Sequence, residues 1–182
     1  MVIIITGASH TGKTLLSQKL IEKIYYPCFS IDHLKMGLIR SNYIDVTQYE
    51  DEKITEILWP IIREMIKTAI ENKQNLIIEG FYVPLNWQES FSEYELENIK
   101  SIVLVMTKEY IEDNFKKIKK YSNVIENRIE DDVEIKSLIF DNEFFLKNID
   151  RISEDFILIE DEYNEEDILQ KALNILYLPN FN

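Results

Sequence analysis

Residues Gly7-Ala8-Ser9-His10-Thr11-Gly12-Lys13-Thr14 place two glycines, a lysine and a hydroxyl in the spacing G-x-x-x-x-G-K-T. The chemistry this pattern does is phosphate binding. Glycines let the backbone curl until successive N–H groups point inward at phosphate oxygens, and the end of the helix that follows adds partial positive charge. In such a loop Lys13 reaches the β- and γ-phosphates and the Thr14 hydroxyl takes a Mg²⁺ position, with the cradle running from Gly7 through Leu15. A chance glycine turn ahead of a helix would share the spelling, so the flanks decide. Val2-Ile3-Ile4-Ile5-Thr6 is a run of strand formers, and an amphipathic stretch starts at Leu15-Leu16-Ser17-Gln18-Lys19-Leu20-Ile21. Strand, glycine loop and helix is the context the motif requires.

Further chemistry is expected where later strands end. Ser30-Ile31-Asp32-His33-Leu34-Lys35 closes the second apolar run. A carboxylate there, Asp32, either accepts a proton from an attacking hydroxyl or only N-caps the helix over residues 33–40. Lys35 and Arg40 either bind an anionic group on an acceptor or are solvated, and His33 reads as structural rather than as a base. Glu79-Gly80 ends the third run. An acid at that place holds Mg²⁺ through water, and Gly80 keeps the backbone slim where substrate approaches. Phe81, Tyr82 and Trp87 follow as pocket wall or core. Arginine is scarce, and Arg128 is the candidate to close over a transferring phosphoryl group, against the alternative of a surface ion pair.

These residues need elements to hold them. Four short apolar runs besides the first read as buried parallel strands: Cys28-Phe29-Ser30-Ile31, Leu76-Ile77-Ile78-Glu79, Ile102-Val103-Leu104-Val105-Met106 and Phe156-Ile157-Leu158-Ile159. Each is separated from the next by helical pattern, which predicts an open α/β sheet with helices on both faces and a site at the carboxyl ends of its strands. Ile54, Leu58, Ile61, Ile62, Met65, Ile66, Ala69 and Ile70 recur at helical spacing around Pro60, so a kink or two helices are expected there. Ile111, Phe115 and Ile118 line another helix with Lys116, Lys117, Lys119 and Lys120 outward. Residues 121–130 are polar, Asp131-Asp132 is placed to cap a helix through Phe140 and Phe144, and the last five residues are expected to fray.

The chain has 182 residues, a size for one domain. A net charge of −13 argues against non-specific nucleic-acid binding. Cys28 stands alone, so it makes no internal disulfide and belongs to no zinc cluster. No run has the length of a membrane span or the build of a signal peptide, and a cytoplasmic protein of undetermined oligomeric state is expected.

With those motifs in place, the chain resembles the P-loop kinases of the adenylate kinase-like group. That group includes nucleoside monophosphate, shikimate and gluconate kinases, chloramphenicol phosphotransferase and zeta toxins. The similarity runs through residues 7–14, 30–35, 78–80 and a lid-like segment at 121–132. It implies a single three-layer αβα domain with a five-stranded parallel sheet ordered 2-3-1-4-5, ATP as donor, Mg²⁺, and closure of a short helical lid. Adenylate kinases carry glycine-phenylalanine-proline-arginine after the third strand, where this chain has Gly80-Phe81-Tyr82-Val83-Pro84 without the arginine. Members of the group that phosphorylate a hydroxyl use an aspartate after the second strand as base, which matches Asp32. The expectation is transfer of the ATP γ-phosphate to a small-molecule hydroxyl, with Lys13, Asp32 and Arg128 at the reaction. A nucleoside monophosphate kinase, with Lys35 and Arg40 on the acceptor phosphate, is the alternative. A nucleotide-binding regulatory module is the third reading, although Asn72-Lys73-Gln74-Asn75 lacks the aspartate of a guanine-specific N-K-x-D run.

Overall fold

The structure is a computed structural model that describes residues 1–44, 51–121, 133–153 and 155–177. Its centre is β1 (Val2–Gly7), every residue of which is buried. With side chains alternating across the strand, Val2 and Ile4 enter one apolar cluster while Ile3 and Ile5 enter the other. A strand apolar on both faces must lie inside a sheet covered on both sides. The remaining strands are β2 (Cys28–Ser30), β3 (Leu76–Glu79), β4 (Ile99–Met106) and β5 (Phe156–Ile159). All neighbours pair in parallel, in the order β2-β3-β1-β4-β5. That is the expected topology.

Helices cover the two faces. One face carries α1 (Lys13–Ile24), α5 (Lys108–Tyr121) and α8 (Glu165–Ile175), whose Leu16, Leu20, Ile111, Ile118, Leu169 and Leu173 pack on Ile3 and Ile5. The other is covered by α3 (Asp51–Glu71), through Ile54, Leu58, Trp59, Ile62 and Ile66. Burying each such side chain contributes about 1.5–3 kcal/mol before chain entropy is charged against it. Between these lie α2 (Ile31–Arg40), a 3₁₀ turn at Trp87–Ser90, α4 (Glu93–Glu97), α6 (Ile135–Lys147) and α7 (Ile149–Ile152). Among the described residues no helix is long and apolar enough to cross a membrane.

Several sequence expectations are corrected in detail. Helix α2 starts at Ile31 with Ser30 in the N-cap position, so Asp32 lies inside the first turn and is not the cap. Ile31 is fully buried and draws the helix start back against the sheet. Strand β4 begins at Ile99, three residues early, because Ile99, Lys100 and Ser101 pair with Val2, Ile3 and Ile4. Around Pro60 there is one helix, not two. Its ring faces outward while Leu58, Trp59 and Ile62 anchor the flanks in the core. Ile61, read as core, is 39% exposed. Helix α6 starts at Ile135 with Glu134 in the N-cap position, and the expected cap, Asp131-Asp132, lies outside the described residues. The lid-like segment beyond Tyr121, Arg128 within it and the chain end after Tyr177 lie outside the described residues.

Candidate active site

The phosphate loop leaves the carboxyl end of β1 and enters α1 through Gly12, which sits at the N-cap with φ 86° and ψ 21°. Gly7 opens the loop at φ 132°, a conformation open in practice to glycine alone, and a Cβ there would lie 2.0 Å from the Leu104 carbonyl oxygen on β4. His10 also takes positive φ, 64°, and its Nδ1 lies 2.8 Å from the Ser9 hydroxyl. Thr11 Oγ1 donates to the Ala8 carbonyl at 2.9 Å, and Lys13 Nζ donates to the same carbonyl at 2.7 Å. Lys13, 8% exposed, thus curls back over the loop that its ammonium would share with a phosphate. Leu15, next along α1, is half-buried.

Register places the other strand ends beside this loop. Ile5 pairs with Glu79, and Glu79 pairs with Ser30, so the ends of β1, β3 and β2 stand abreast. Glu79 is 2% exposed, and its Oε2 accepts from Thr14 Oγ1 at 3.3 Å. A hydroxyl and a buried carboxylate side by side are hard oxygen donors of the kind Mg²⁺ takes, and burial of that carboxylate is compatible with a nearby cation. Among the described residues no three His, Cys, Asp or Glu side chains converge on a metal position. Gly80 has its own reason: a Cβ there would lie 2.7 Å from Cβ of Ile31, so the glycine lets α2 start close against β3.

Beyond β3 lies a polar chain whose two ends are far apart in sequence. Asp32 Oδ1 lies 3.1 Å from Lys35 Nζ, within one turn of α2. Lys35 Nζ also donates to the Tyr82 hydroxyl at 2.8 Å and lies 4.6 Å from the centre of that ring. Tyr82 Oη in turn donates to Asp51 Oδ1 at 3.2 Å, at the start of α3. Burial works to lower the Lys35 pKa, but Asp32 and Tyr82 outweigh it and hold the ammonium above its ordinary value. Burial pushes the Tyr82 phenol up against the pull of Lys35. On α6, burial raises the Asp141 carboxyl, Asp51 raises it further, and Lys13 draws it down, so this acid feels both Asp51 and the loop.

Asp32, Lys35, Glu79, Gly80 and the loop from Gly7 to Thr14 therefore gather along the carboxyl edge of three adjacent strands. Arg40 does not join them. It is exposed in the last turn of α2, about 12 Å along the axis from Asp32 at 1.5 Å per residue. His33 is exposed as well. Trp87 is core: it is buried and its indole N–H donates to the Ile152 carbonyl at 2.7 Å. Asp51 and Asp141 carried no motif in the sequence, and neither did Tyr163, whose hydroxyl fills the space beside Gly12 and whose pKa burial pushes up to about 12. Helical phase alone offers no signal that would bring these three to the site.

The sequence matches no family model and no curated protein. Solved structures do match over nearly the whole chain. Shikimate kinase from Acinetobacter baumannii, solved with shikimate, superposes with a TM-score of 0.60 at 15% identity, covering 97% of this chain and 92% of that one. Shikimate kinase from Bacteroides thetaiotaomicron gives 0.58 at 16% identity over 98% and 99% of the two chains. A gluconokinase from Sinorhizobium meliloti 1021 gives 0.58 at 12% identity over 97% and 91%. The resemblance read from the motifs holds at the level of the fold, and this chain has the fold of the small-molecule P-loop kinases.

Proposed function

We propose that the chain is an ATP-dependent phosphotransferase that moves the γ-phosphate to a hydroxyl of a small-molecule acceptor. The observation that carries this reading is the position of Asp32. It stands two strands away from the phosphate loop across the edge that Glu79 occupies, about 10 Å at ordinary strand spacing. That gap accommodates a phosphoryl group on the loop side and an acceptor hydroxyl on the Asp32 side. The Asp32 side chain is 40% exposed, so it is reachable from the cleft. Solved structures of kinases with this fold, one of them holding shikimate, add to the case for a small acceptor.

In this mechanism Asp32 takes the proton of the acceptor hydroxyl as the oxygen bonds to phosphorus. The bond from phosphorus to the bridging oxygen breaks and ADP leaves with the electron pair. Lys13 and the backbone N–H groups from Gly7 to Thr14 neutralise the charge that spreads over the phosphates, so most of the catalysis is positioning and electrostatics. Thr14 and Glu79 would hold Mg²⁺, which when bound supplies further charge neutralisation at the phosphates. Arg128 is the candidate for a cation that closes from the segment 121–132.

The test measures ADP release with ATP and Mg²⁺ over a panel of hydroxyl acceptors and nucleoside monophosphates, alongside ATP affinity. Asp32→Asn should keep ATP affinity and lose about 10²–10⁴ of the acceptor-stimulated rate, the usual worth of a general base. A fully active Asp32→Asn would reduce Asp32 to a partner of Lys35. Wild-type turnover in Lys13→Ala would refute the loop assignment itself.

A further inference from the structure

Asp32 and Lys35 face each other within one turn of α2, with Oδ1 and Nζ 3.1 Å apart. Pairs of this kind are ordinary on helix surfaces and hold little, because water competes for both charges and two side chains must be stilled. Lys53–Glu56 and Lys171–Asp167 are such pairs, each with more than half of both side chains exposed. The Asp32–Lys35 pair differs in what stands behind the lysine. The Lys35 side chain is only 21% exposed, its ammonium donates to the Tyr82 hydroxyl at 2.8 Å, and the centre of the same ring lies 4.6 Å away. Tyr82 is fixed in its turn. It is buried, its ring meets Phe81 edge-on at 5.4 Å, and its hydroxyl donates to Asp51 Oδ1 at 3.2 Å. A phenol has one proton, so a hydroxyl that donates to Asp51 presents a lone pair to Lys35. The two bonds of that phenol therefore run one way, from ammonium to phenol to carboxylate.

Burial works to strip the proton from Lys35, but Asp32 and Tyr82 outweigh it, so Lys35 stays an ammonium and is no base itself. Resting on the kinase reading above, we infer that Lys35 and Tyr82 are positioning residues for Asp32: Tyr82 holds the Lys35 ammonium, and the ammonium holds Asp32 Oδ1 so that Oδ2 meets the acceptor hydroxyl. The acceptor's proton passes to Oδ2 as its oxygen bonds to phosphorus, and Lys35 neither gains nor loses one. In a transfer that owes most of its rate to placement, a base that swings between rotamers is out of reach for part of the time. A grip on an acceptor's anionic group would be a different role, since it acts on the acceptor directly and without Asp32.

The two roles separate in a double-mutant cycle read by ADP release from the full chain with ATP and Mg²⁺. Water, gluconate and its neutral counterpart glucitol serve as acceptors, so the reading does not hang on the natural one. Lys35→Met should lower kcat about 10- to 100-fold with every acceptor that supports turnover, and Tyr82→Phe, which keeps the ring, about 3- to 10-fold, both at unchanged KM for ATP. In an Asp32→Asn background each change should cost less than about twofold, because nothing is left to position. Thermal melting checks that the variants fold; should Tyr82→Phe fail, Lys35→Met and Lys35→Gln carry the cycle. Losses repeated in full on the Asp32→Asn background would overturn the inference. So would a Lys35→Met that raises KM for gluconate alone and keeps kcat, and both results leave the kinase reading standing. A Tyr82→Phe at the wild-type rate would overturn the role of Tyr82. Asp32→Asn at the wild-type rate would remove the base, and no ADP release with any acceptor would overturn the kinase reading, each taking this inference with it.

Discussion

The chain has four glycines, and two of them make opposite predictions when given the same methyl group. Gly7 leaves β1 at φ 132°, and a Cβ there would come within 2.0 Å of the Leu104 carbonyl oxygen and 2.8 Å of the Leu104 nitrogen. Both are backbone atoms of the paired strand and have no rotamer by which to escape. Gly7→Ala must then abandon a glycine-only conformation, at about 1–3 kcal/mol. It must also part β1 from β4 in the middle of the sheet, at about 1–3 kcal/mol for overpacking. The sum is about 2–6 kcal/mol, a large part of the 5–15 kcal/mol a domain has. For a chain of this length each kcal/mol moves Tm by about 2–4 °C, so a central loss of about 4 kcal/mol lowers Tm by about 8–16 °C. Gly37 lies within α2, and a Cβ there meets nothing within 4 Å. Gly37→Ala should gain about 0.5–1 kcal/mol by helix propensity and a less free unfolded chain.

Urea unfolding followed by the fluorescence of Trp59 and Trp87, both buried, measures each change, with thermal melts beside it. The reasoning requires midpoints to move in opposite directions at an unchanged m-value. A Gly7→Ala protein that melts within 2 °C of wild type would show that β1 and β4 part at negligible cost near the loop, and the close approach would lose its meaning. A loss at Gly37 equal to that at Gly7 would locate the effect in glycine chemistry at large and remove the geometric argument.

Asp141 holds its proton more tightly in the folded chain than in the unfolded one, because burial and Asp51 raise it. Below the unfolded aspartate value of about 3.9 both states are protonated, and the penalty builds as pH rises from there until it is complete above the folded value. Asp141→Asn should therefore melt above wild type at pH 7, with the gain vanishing below about pH 4; a gain that persists in acid refutes the electrostatic cause. Burial pushes the Cys28 thiol up to about 11. At pH 8 the thiolate fraction is then about 10⁻³, and alkylation by iodoacetamide should run about 100-fold slower in the folded chain than in urea; equal rates would place Cys28 in a solvated setting. Glu79→Gln should raise the Mg²⁺ concentration needed for half-maximal turnover by about tenfold or more, and an unchanged titration would remove Glu79 from the metal site.

The parts of this molecule that were legible in its sequence are those built within one stretch of chain. The phosphate loop has its strand, its turn and its helix in immediate succession, and the bonds from Thr11 and Lys13 to the Ala8 carbonyl span three and five residues. Parallel strands were legible for a related reason, since a strand buried on both faces has no polar residue to disguise it. Where polar residues enter, as Lys100 and Ser101 do in β4, the strand is hidden until its pairing with β1 reveals it. At Pro60 a kink or two meeting helices is the sequence expectation, and the structure has one continuous helix. The local rule breaks the helix there, while tertiary packing of Leu58, Trp59 and Ile62 keeps it whole with the ring turned to solvent.

The polar chain beyond β3 obeys neither rule. Lys35 reaches Asp32 within its own helix, but it reaches Tyr82 across 47 residues, and Tyr82 reaches Asp51 across 31. Each of those side chains, taken on its own element, reads as ordinary. Lys35 is a solvated helix residue, Asp51 a favourable acid at a helix start, and Asp141 one polar position on an amphipathic helix. Their meaning arises only when four elements converge, which periodicity cannot place. The same separation explains why sequence leaves Lys35 open between a grip for an anion and a solvated residue, while the fold sets it between Asp32 and the Tyr82 hydroxyl. Apolar periodicity specifies the sheet and its helices, so it constrains the phosphate end, which every substrate of such an enzyme shares. Of the polar chain beyond β3, Asp51 stands in the exposed first turn of α3, where substitution usually costs within ±0.5 kcal/mol of stability. Stability therefore leaves that end open to change without disturbing the fold. Asp51→Asn is accordingly expected to melt within about 2 °C of wild type, and a larger fall would give the bond from the Tyr82 hydroxyl a structural role.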